Sequence, residues 1–364
     1  MIEDEQRMGA FKKAIRQVVK PGDVVIDLGA GTGVLGLFAC QAGAGQVIAI
    51  ERGPLEPVAR ALYRENGFAD RLCWIGQDSL EVDLSVRADV LISETLGNLG
   101  IDEGLPVYVG DAVERFLKPT GQCIPGRVRL YMAATSHVPR ALASRADAVL
   151  HPAMRHVLVK TPWIEDVAID KCLTPPVLVA EYECSSGAVG TDLHFRQPML
   201  IEKAGQLASI VGWFEAELCP GVTISTAPDA PPTHWKQTVF AVQRPPAVQA
   251  GDNISVSVQG RWLDNGFDWQ VYCHPPSTEE MSTEPRLMPA WFKGSAGNLN
   301  PASIATWSLS QKGEQERRLI ALIAGGADRD TILRLAPEIF DDPTCAAEAA
   351  QALVSSLLVK VLRL

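Results

Sequence analysis

Val24-Val-Ile-Asp-Leu-Gly-Ala-Gly-Thr-Gly-Val-Leu-Gly36 is the stretch that sets the fold class of this chain. Its first five residues are a short apolar run, the signature of a buried strand. The glycines that follow let the backbone turn tightly and approach a ligand closely. Gly33 to Ala42 then reads as a helix with Gly43 as its stop. Val47-Ile-Ala-Ile50 is a second strand, ending at Glu51. A helix over 54–66, strands at Leu72–Ile75 and Asp89–Ser93 and a helix over 106–117 continue the alternation. Such β-α-β alternation predicts an α/β, Rossmann-like, doubly wound parallel sheet with its chemistry at the carboxyl ends of the strands. Upstream, residues 2–19 have the spacing of an amphipathic helix, and Pro21-Gly22 ends it. Downstream, Lys118-Pro-Thr-Gly121 turns into a strand that stops at Pro125-Gly126.

The texture changes after residue 126. Val128–Met132, Val177–Tyr182, Ser209–Leu218, Gln237–Val242, Asn253–Gly260 and Trp269–Tyr272 are short β-rich runs divided by Pro, Gly and Asp, as in an antiparallel sandwich or barrel. Residues 137–170 are ambiguous and allow a helical insertion. A loop rich in Pro, Ser and Thr over 275–290 leads to periodic apolar segments between 313 and 362, read as a small helical module. The expected division is 1–126, 127–295 and 296–364.

The glycine turn admits two ligands and a bland reading. Gly31-Thr-Gly-Val-Leu-Gly36 spells the dinucleotide pattern, and Glu51 falls where a ribose-binding acid is expected. A tight strand–helix turn with no ligand is the third reading. Asp27 separates the first two, because a carboxylate two residues before Gly29 would repel a pyrophosphate. S-adenosylmethionine carries an ammonium and a sulfonium instead, which an acid favours. The cofactor residues expected on this basis are Asp27, Gly29, Gly31 and Glu51, with Asp78 and Ser79 as adenine contacts or simple turn caps.

Glu94 closes the fourth strand, and Glu103 ends the loop Ser93-Glu-Thr-Leu-Gly-Asn-Leu-Gly-Ile-Asp-Glu103. A guanidinium offers five N–H donors in a planar fork, and two carboxylates can hold it in one orientation and share its charge. Polarised toward one nitrogen, it can attack a sulfonium methyl, with positioning supplying much of the acceleration. Two solvated loop acids are the alternative. Far downstream, His234 lies within Thr233-His-Trp-Lys-Gln-Thr-Val-Phe240. A lone histidine is more often structural, and Trp235 is more often core than ligand wall.

The 364 residues suffice for two or three domains. A net charge of −10 argues against a broad nucleic-acid-binding face, which needs clustered Lys and Arg. The eight cysteines are scattered without a Cys-x-x-Cys, so neither a zinc site nor a disulfide framework is expected. The start, Met-Ile-Glu-Asp-Glu, is acidic where a signal peptide is basic, and no apolar run is uninterrupted enough to span a bilayer. No metal, nucleic-acid or membrane partner is expected, and the cytoplasm is the expected location.

Taken together, these motifs resemble the protein arginine methyltransferase family over about residues 1–275. Thr233-His-Trp matches that family's loop of the same letters, Ser93-Glu to Glu103 its double-glutamate loop, and Met1 to Arg7 the helix that folds over the cofactor. Leu117-Lys-Pro-Thr-Gly and Ile124-Pro125 match the junction to the family's β-barrel, where that proline is usually cis. The resemblance implies that Glu94 and Glu103 hold the substrate guanidinium, and that Arg7 contacts the cofactor carboxylate and braces a glutamate. It further implies that Asp4 pairs with His234 to support proton removal, that Met1 lines the acceptor pocket, and that the protein is a homodimer with an arm near 137–170. The family's tyrosine-bearing helix falls before Met1. Thr95, Leu96, Asn98 and Leu105 depart from the family's usual residues, and they point to a pocket that is smaller-walled and partly more polar, with Asn98 and Trp235 facing the acceptor. The tail after about 300 lies outside the family and loosely resembles winged-helix-like modules; a helical cap is the plainer reading.

The function expected is S-adenosylmethionine-dependent N-methylation of a guanidino group, on a protein or peptide arginine, free arginine or another guanidino metabolite. A class I methyltransferase for another amine or amide, and a non-catalytic cofactor-binding scaffold, are the alternatives.

Overall fold

Short apolar runs separated by helices make strands buried on both faces, as in a parallel sheet covered by helices. In the computed structural model, which describes residues 4–143, 162–187, 192–242, 245–263, 266–274 and 287–291, five such strands form that sheet. The first helix, α1 (Glu5–Val18), is followed by β1 (Val24–Leu28), α2 (Val34–Ala42), β2 (Gln46–Ile50), α3 (Glu56–Glu65) and β3 (Leu72–Ile75). Next come β4 (Ala88–Ser93), α4 (Leu105–Phe116) and β5 (Leu117–Ile124). The strand order is β3-β2-β1-β4-β5, all parallel. The chain winds outward from β1 to β3 and then returns to the other side of β1 at β4. That reversal opens a crevice at the carboxyl ends of β1 and β4, where open α/β sheets bind ligands.

Asp4 caps α1 by accepting the Arg7 backbone N–H at 3.0 Å. The helix buries Phe11, Ala14, Ile15 and Val18 and touches both α2 and the antiparallel region beyond the first sheet. Helix α2 is bracketed by Gly33 and Gly43, both in the left-handed region, so its limits follow the glycines.

Ile124–Pro125 is a cis peptide, and the chain passes from there into antiparallel structure. This part contains β6 (Arg127–Thr135), a single helical turn α5 (Arg140–Ala143), β7 (Trp163–Glu165), β8 (Val177–Glu183), β9 (Asp192–Leu200) and β10 (Gly205–Gln206). It continues through β11 (Ser209–Cys219), β12 (Val222–Ser225), β13 (Gln237–Ala241), β14 (Ala247–Val248), β15 (Asn253–Leu263), β16 (Gly266–His274) and β17 (Leu287–Trp291). One sheet runs β7-β13-β11-β6-β8 with β12 on β11, another runs β17-β16-β15-β9, and β10 pairs β14.

Three details differ from the sequence expectation. Leu287–Trp291 is a strand, where the stretch 275–290 reads as a loop. Asp192–Leu200 is a strand that no run of apolar residues announced. Each carries a proline, Pro289 and Pro198, and each lies at an edge of the four-stranded sheet, the place where a strand tolerates a missing N–H. Within 137–170 only Arg140–Ala143 is helical, and Trp163–Glu165 joins β13 as a strand; residues 144–161 lie outside the described residues. The chain divides into two units, 1–295 and 296–364. The helical module expected in the second also lies outside the described residues.

Candidate active site

The glycine turn, Glu51, Asp78 and Glu94 each follow a parallel strand at its carboxyl end, so the sheet itself gathers them at one crevice. Gly29, Gly31 and Gly33 all have positive φ, at 69°, 54° and 75°. Gly29 is also fixed by space, since a Cβ there would stand 3.0 Å from the Thr95 methyl. A Cβ at Gly31 would meet nothing within 4 Å, which leaves its outer side open to a ligand. The Glu51 carboxylate accepts from Gly31 N–H at 2.9 Å and Gly53 N–H at 2.6 Å, locking the turn to the end of β2.

Asp27 corrects the expectation of direct cofactor contact. Its side chain is 1% exposed and lies beneath the turn, accepting the Gly36 N–H at 2.8 Å. Burial pushes its pKa up to about 7, against the Gly36 hydrogen bond and with help from Glu51. Its role is to hold the start of α2 in place. A carboxyl whose folded pKa is raised binds its proton more readily in the folded chain, so its stabilisation is present at low pH and is lost as pH rises toward 7. Asp27→Asn should therefore remove a falling slope of about 1.4 kcal/mol per pH unit between roughly pH 4.5 and 6.5. Urea unfolding at several pH values would check this, and parallel curves for variant and wild type would refute it.

Asp78 caps the 3-10 turn Ser79–Glu81 by accepting the Leu80 N–H at 3.1 Å, and it also meets the Arg52 guanidinium at 3.3 Å. Ser79 is 7% exposed. Both hold local structure at the end of β3, beside the turn that carries Glu51.

The loop between Glu94 and Glu103 is organised by Asp102, a residue the sequence reading passed over. Asp102 is 3% exposed and accepts the backbone N–H groups of Leu99 at 2.7 Å and Asn98 at 3.2 Å. Burial raises its pKa to about 7; those hydrogen bonds oppose the rise, and Glu103 adds to it. Gly97, at φ 64°, is needed because a Cβ would fall 2.4 Å from an Asp102 oxygen. Gly100 presses on the second sheet, where a Cβ would lie 2.7 Å from Phe214 and 2.9 Å from Val128. The sequence signal was present: an acid directly before Glu103 in a loop with two glycines too tight for any side chain.

Glu94 is nearly buried and forms an ion pair with the equally buried Arg7. Burial draws the Arg7 pKa down to about 10, while Glu103 and Asp4 push it back up. Glu103 is solvent-accessible and, among the described residues, has no hydrogen-bond partner. Protein packed around it raises its pKa, and the Arg7 charge tempers that rise. Glu94 thus pairs directly with the Arg7 guanidinium, and Glu103 lies close enough for its charge to act on it.

The structure brings Asp4 and His234 together, with Asp4 Oδ2 2.8 Å from His234 Nδ1 and accepting the His234 backbone N–H at 3.1 Å. Burial raises the Asp4 pKa, but the hydrogen bonds from Arg7 and His234 outweigh it and leave it lowered. Arg7 Nη1 lies 3.3 Å from His234 Nε2. A guanidinium only donates, so Nε2 accepts and the proton sits on Nδ1, toward Asp4. Burial lowers the His234 pKa, consistent with a neutral ring, and Arg7 adds to that. The imidazole lone pair is therefore directed at Arg7, and the pair joins the start of α1 to the histidine loop.

The acceptor-wall expectations change in the same way. Trp235 is 3% exposed and lies under Arg7, with the guanidinium carbon 4.9 Å from its ring centroid, and edge-on to Phe214 at 5.3 Å. It supports the site from below. Asn98 donates its amide to the Trp235 carbonyl at 2.7 Å, tying the glutamate loop to the histidine loop. Leu96 and Leu105 are buried core, whereas Thr95, whose hydroxyl bonds Ser93 at 3.1 Å, and Asn98 are half-buried. Met1 lies outside the described residues. Among the described residues no three His, Cys, Asp or Glu side chains are grouped to hold a metal, and no helix is long and apolar enough to cross a membrane.

This arrangement has known counterparts. Residues 145–270 match the family described as the arginine methyltransferase oligomerization subdomain, and residues 12–123 match that of ribosomal protein L11 methyltransferase. An arginine N(omega)-methyltransferase of Streptomyces achromogenes subsp. streptozoticus is 27% identical over 276 residues, covering 72% of this chain and 75% of that protein. Protein arginine N-methyltransferase 1 of Dictyostelium discoideum is 28% identical over 268 residues, covering 70% and 78%. Among solved structures, the Trypanosoma brucei PRMT1 enzyme–prozyme complex with AdoHcy superposes with a TM-score of 0.70 at 20% identity, over 80% of this chain and 96% of that one. The Arabidopsis thaliana protein arginine methyltransferase 10 structure gives 0.68 at 23% identity, over 79% and 95%. With one family model matching part of its parallel-sheet region, another part of its antiparallel region, and arginine methyltransferases aligned over 70–72% of its length, the chain is similar to protein arginine methyltransferases across both regions.

Proposed function

We propose that this chain transfers a methyl group from S-adenosylmethionine to a guanidino nitrogen of arginine. The observation that carries this reading is the guanidinium of Arg7, which sits paired to Glu94 and within the field of Glu103. The two carboxylates already converge on the chemical group that an arginine acceptor would present.

The residues present fit the cofactor. The open face of Gly31 admits a ligand against the turn, Glu51 is placed at the end of β2 for ribose hydroxyls, and Arg7 supplies a cation for a carboxylate. When bound, S-adenosylmethionine supplies a methyl group activated by a sulfonium. Glu94, oriented by Arg7, holds the acceptor guanidinium by charge-assisted hydrogen bonds. Glu103 holds its other edge. With its lone pairs free and its pKa raised, the Glu103 carboxylate is also the group suited to take the proton released from the methylated nitrogen. Asp4 and His234 fasten α1 over this arrangement and keep Arg7 in position.

The remaining features complete the reading. The antiparallel sheets close as a β-barrel, and the protein works as a cytoplasmic homodimer that uses the region 137–170 as its arm. The oligomerization family match over 145–270 and the heterotetrameric neighbour support the assembly.

Incubation with methyl-labelled cofactor and, in turn, free arginine, arginine-containing peptides and simple amines tests the assignment. Label on guanidino nitrogen is the expected result, whether on free or peptidyl arginine. Transfer only to non-guanidino acceptors would overturn it.

A further inference from the structure

The strongest unassigned cluster outside the glutamate site is built on Arg115, in the last turn of α4. Its Nη2 donates to the Ser79 carbonyl at 2.7 Å and its Nη1 to the Val82 carbonyl. Its Nε donates to Asp111 Oδ1 at 2.9 Å, one helical turn earlier, and a second bond reaches the other Asp111 oxygen. Asp83 lies 3.9 Å from Nη1. The guanidinium thus spans two elements, gripping α4 through a bidentate carboxylate and the turn after β3 through two carbonyls. Both Arg115 and Asp111 are under a third exposed, so the fork is partly shielded from water.

The gripped turn is the one that carries Asp78 and Ser79. Asp78 caps it and meets the guanidinium of Arg52, the residue after Glu51, at 3.3 Å. A ligand whose ribose meets Glu51 must place its base beside this turn, because β2 and β3 are neighbours in the sheet and Glu51 and Asp78 both follow their carboxyl ends. The Ser79 carbonyl also closes the turn by accepting the Val82 N–H at 3.3 Å, so Arg115 adds a second donor to that bond and at the same time takes the Val82 carbonyl at the turn's end, where a helical carbonyl has no partner of its own.

We propose that Arg115 is a positioning residue for the adenosine end of the cofactor site: it fixes the turn Asp78–Val82 against α4. This rests on the methyltransferase reading and deepens it. The proposal concerns affinity for the adenosyl part. Arg115 is far along α4 from Glu103, which precedes the other end of that helix, so the acceptor should not sense its loss.

The test compares Arg115→Ala and Arg115→Lys with wild type in the full chain, using calorimetric titration with S-adenosylhomocysteine and steady-state methyl transfer. Arg115→Ala should weaken S-adenosylhomocysteine binding roughly tenfold and raise the cofactor KM in step. The acceptor KM and kcat at saturating cofactor should stay within about twofold. Lysine, a point charge unable to bridge two carbonyls and a carboxylate, should recover only part of the loss. A folded Arg115→Ala with wild-type cofactor affinity would overturn the proposal, as would a fall in kcat at saturation with affinity unchanged. Should the alanine variant fail to fold, the lysine variant decides by the same comparison: cofactor affinity equal to wild type counts against, and selective weakening counts for. A wild-type chain that binds no S-adenosylhomocysteine would bring down the methyltransferase reading itself, a result distinct from equal binding by wild type and variant.

Discussion

Glu94→Gln is expected to lower kcat for methyl transfer by about a thousandfold, with S-adenosylhomocysteine affinity within roughly threefold of wild type. Gln keeps the shape and one acceptor oxygen, so the Arg7 hydrogen bond and the loop fold survive. What disappears is the negative charge. Glu94 is nearly buried, so its field on a guanidinium is weakly screened, and removing one member of a buried pair typically costs about 3–5 kcal/mol. The loss falls on the step in which one acceptor nitrogen becomes nucleophilic, since that step needs the positive charge drawn toward the carboxylates. Single-turnover methylation together with titration of S-adenosylhomocysteine would separate the two effects. If cofactor affinity fell as far as the rate, the variant would be acting through collapse of the loop and not through charge.

Arg7→Leu should damage more than one property at once. Arg7 has a backbone N–H on the Asp4 cap, a side chain paired to Glu94 and 3.3 Å from His234 Nε2, and a face over Trp235. Leucine fills much of the volume but leaves Glu94 buried beside apolar atoms, a cost of about 3–5 kcal/mol. The melting temperature should drop by about 10 °C, and cofactor affinity should fall with it because the cation offered to its carboxylate is gone. Arg7→Lys should recover stability better than it recovers turnover, as a single ammonium cannot meet Glu94, the imidazole and a ligand together. Scanning calorimetry with and without S-adenosylhomocysteine provides the readout. A leucine variant that melted with wild type and bound ligand equally would contradict this account of the pair.

Much of the parallel sheet was legible because its signals are local. Val24 to Gly33 carries both a strand and the turn that must follow it, and the helix limits at Gly33 and Gly43 are glycines in left-handed conformation. The glutamate and histidine loops were legible as motifs, through Glu94, Glu103 and His234. What the letters concealed was direction. Nothing local distinguishes an Asp27 that faces a ligand from one tucked under a turn and bonded to Gly36, and Trp235 becomes a support only because Arg7, 228 positions away in the chain, lies across it. Edge strands were missed for a related reason. Pro198 and Pro289 argue against a strand until the sheet order shows that, among the described residues, each lies on an edge strand.

The contact of Gly100 with Phe214 and Val128 ties the glutamate loop to strands that come later in the chain. A protein severed before Arg127 would keep every residue of the glycine turn and both acids in its covalent sequence. It would lack the wall against which the loop is cast, and the anchor for its first helix at His234. The front portion thus holds the letters of the site, whereas the placement of Arg7 and of the glutamate loop belongs to the join.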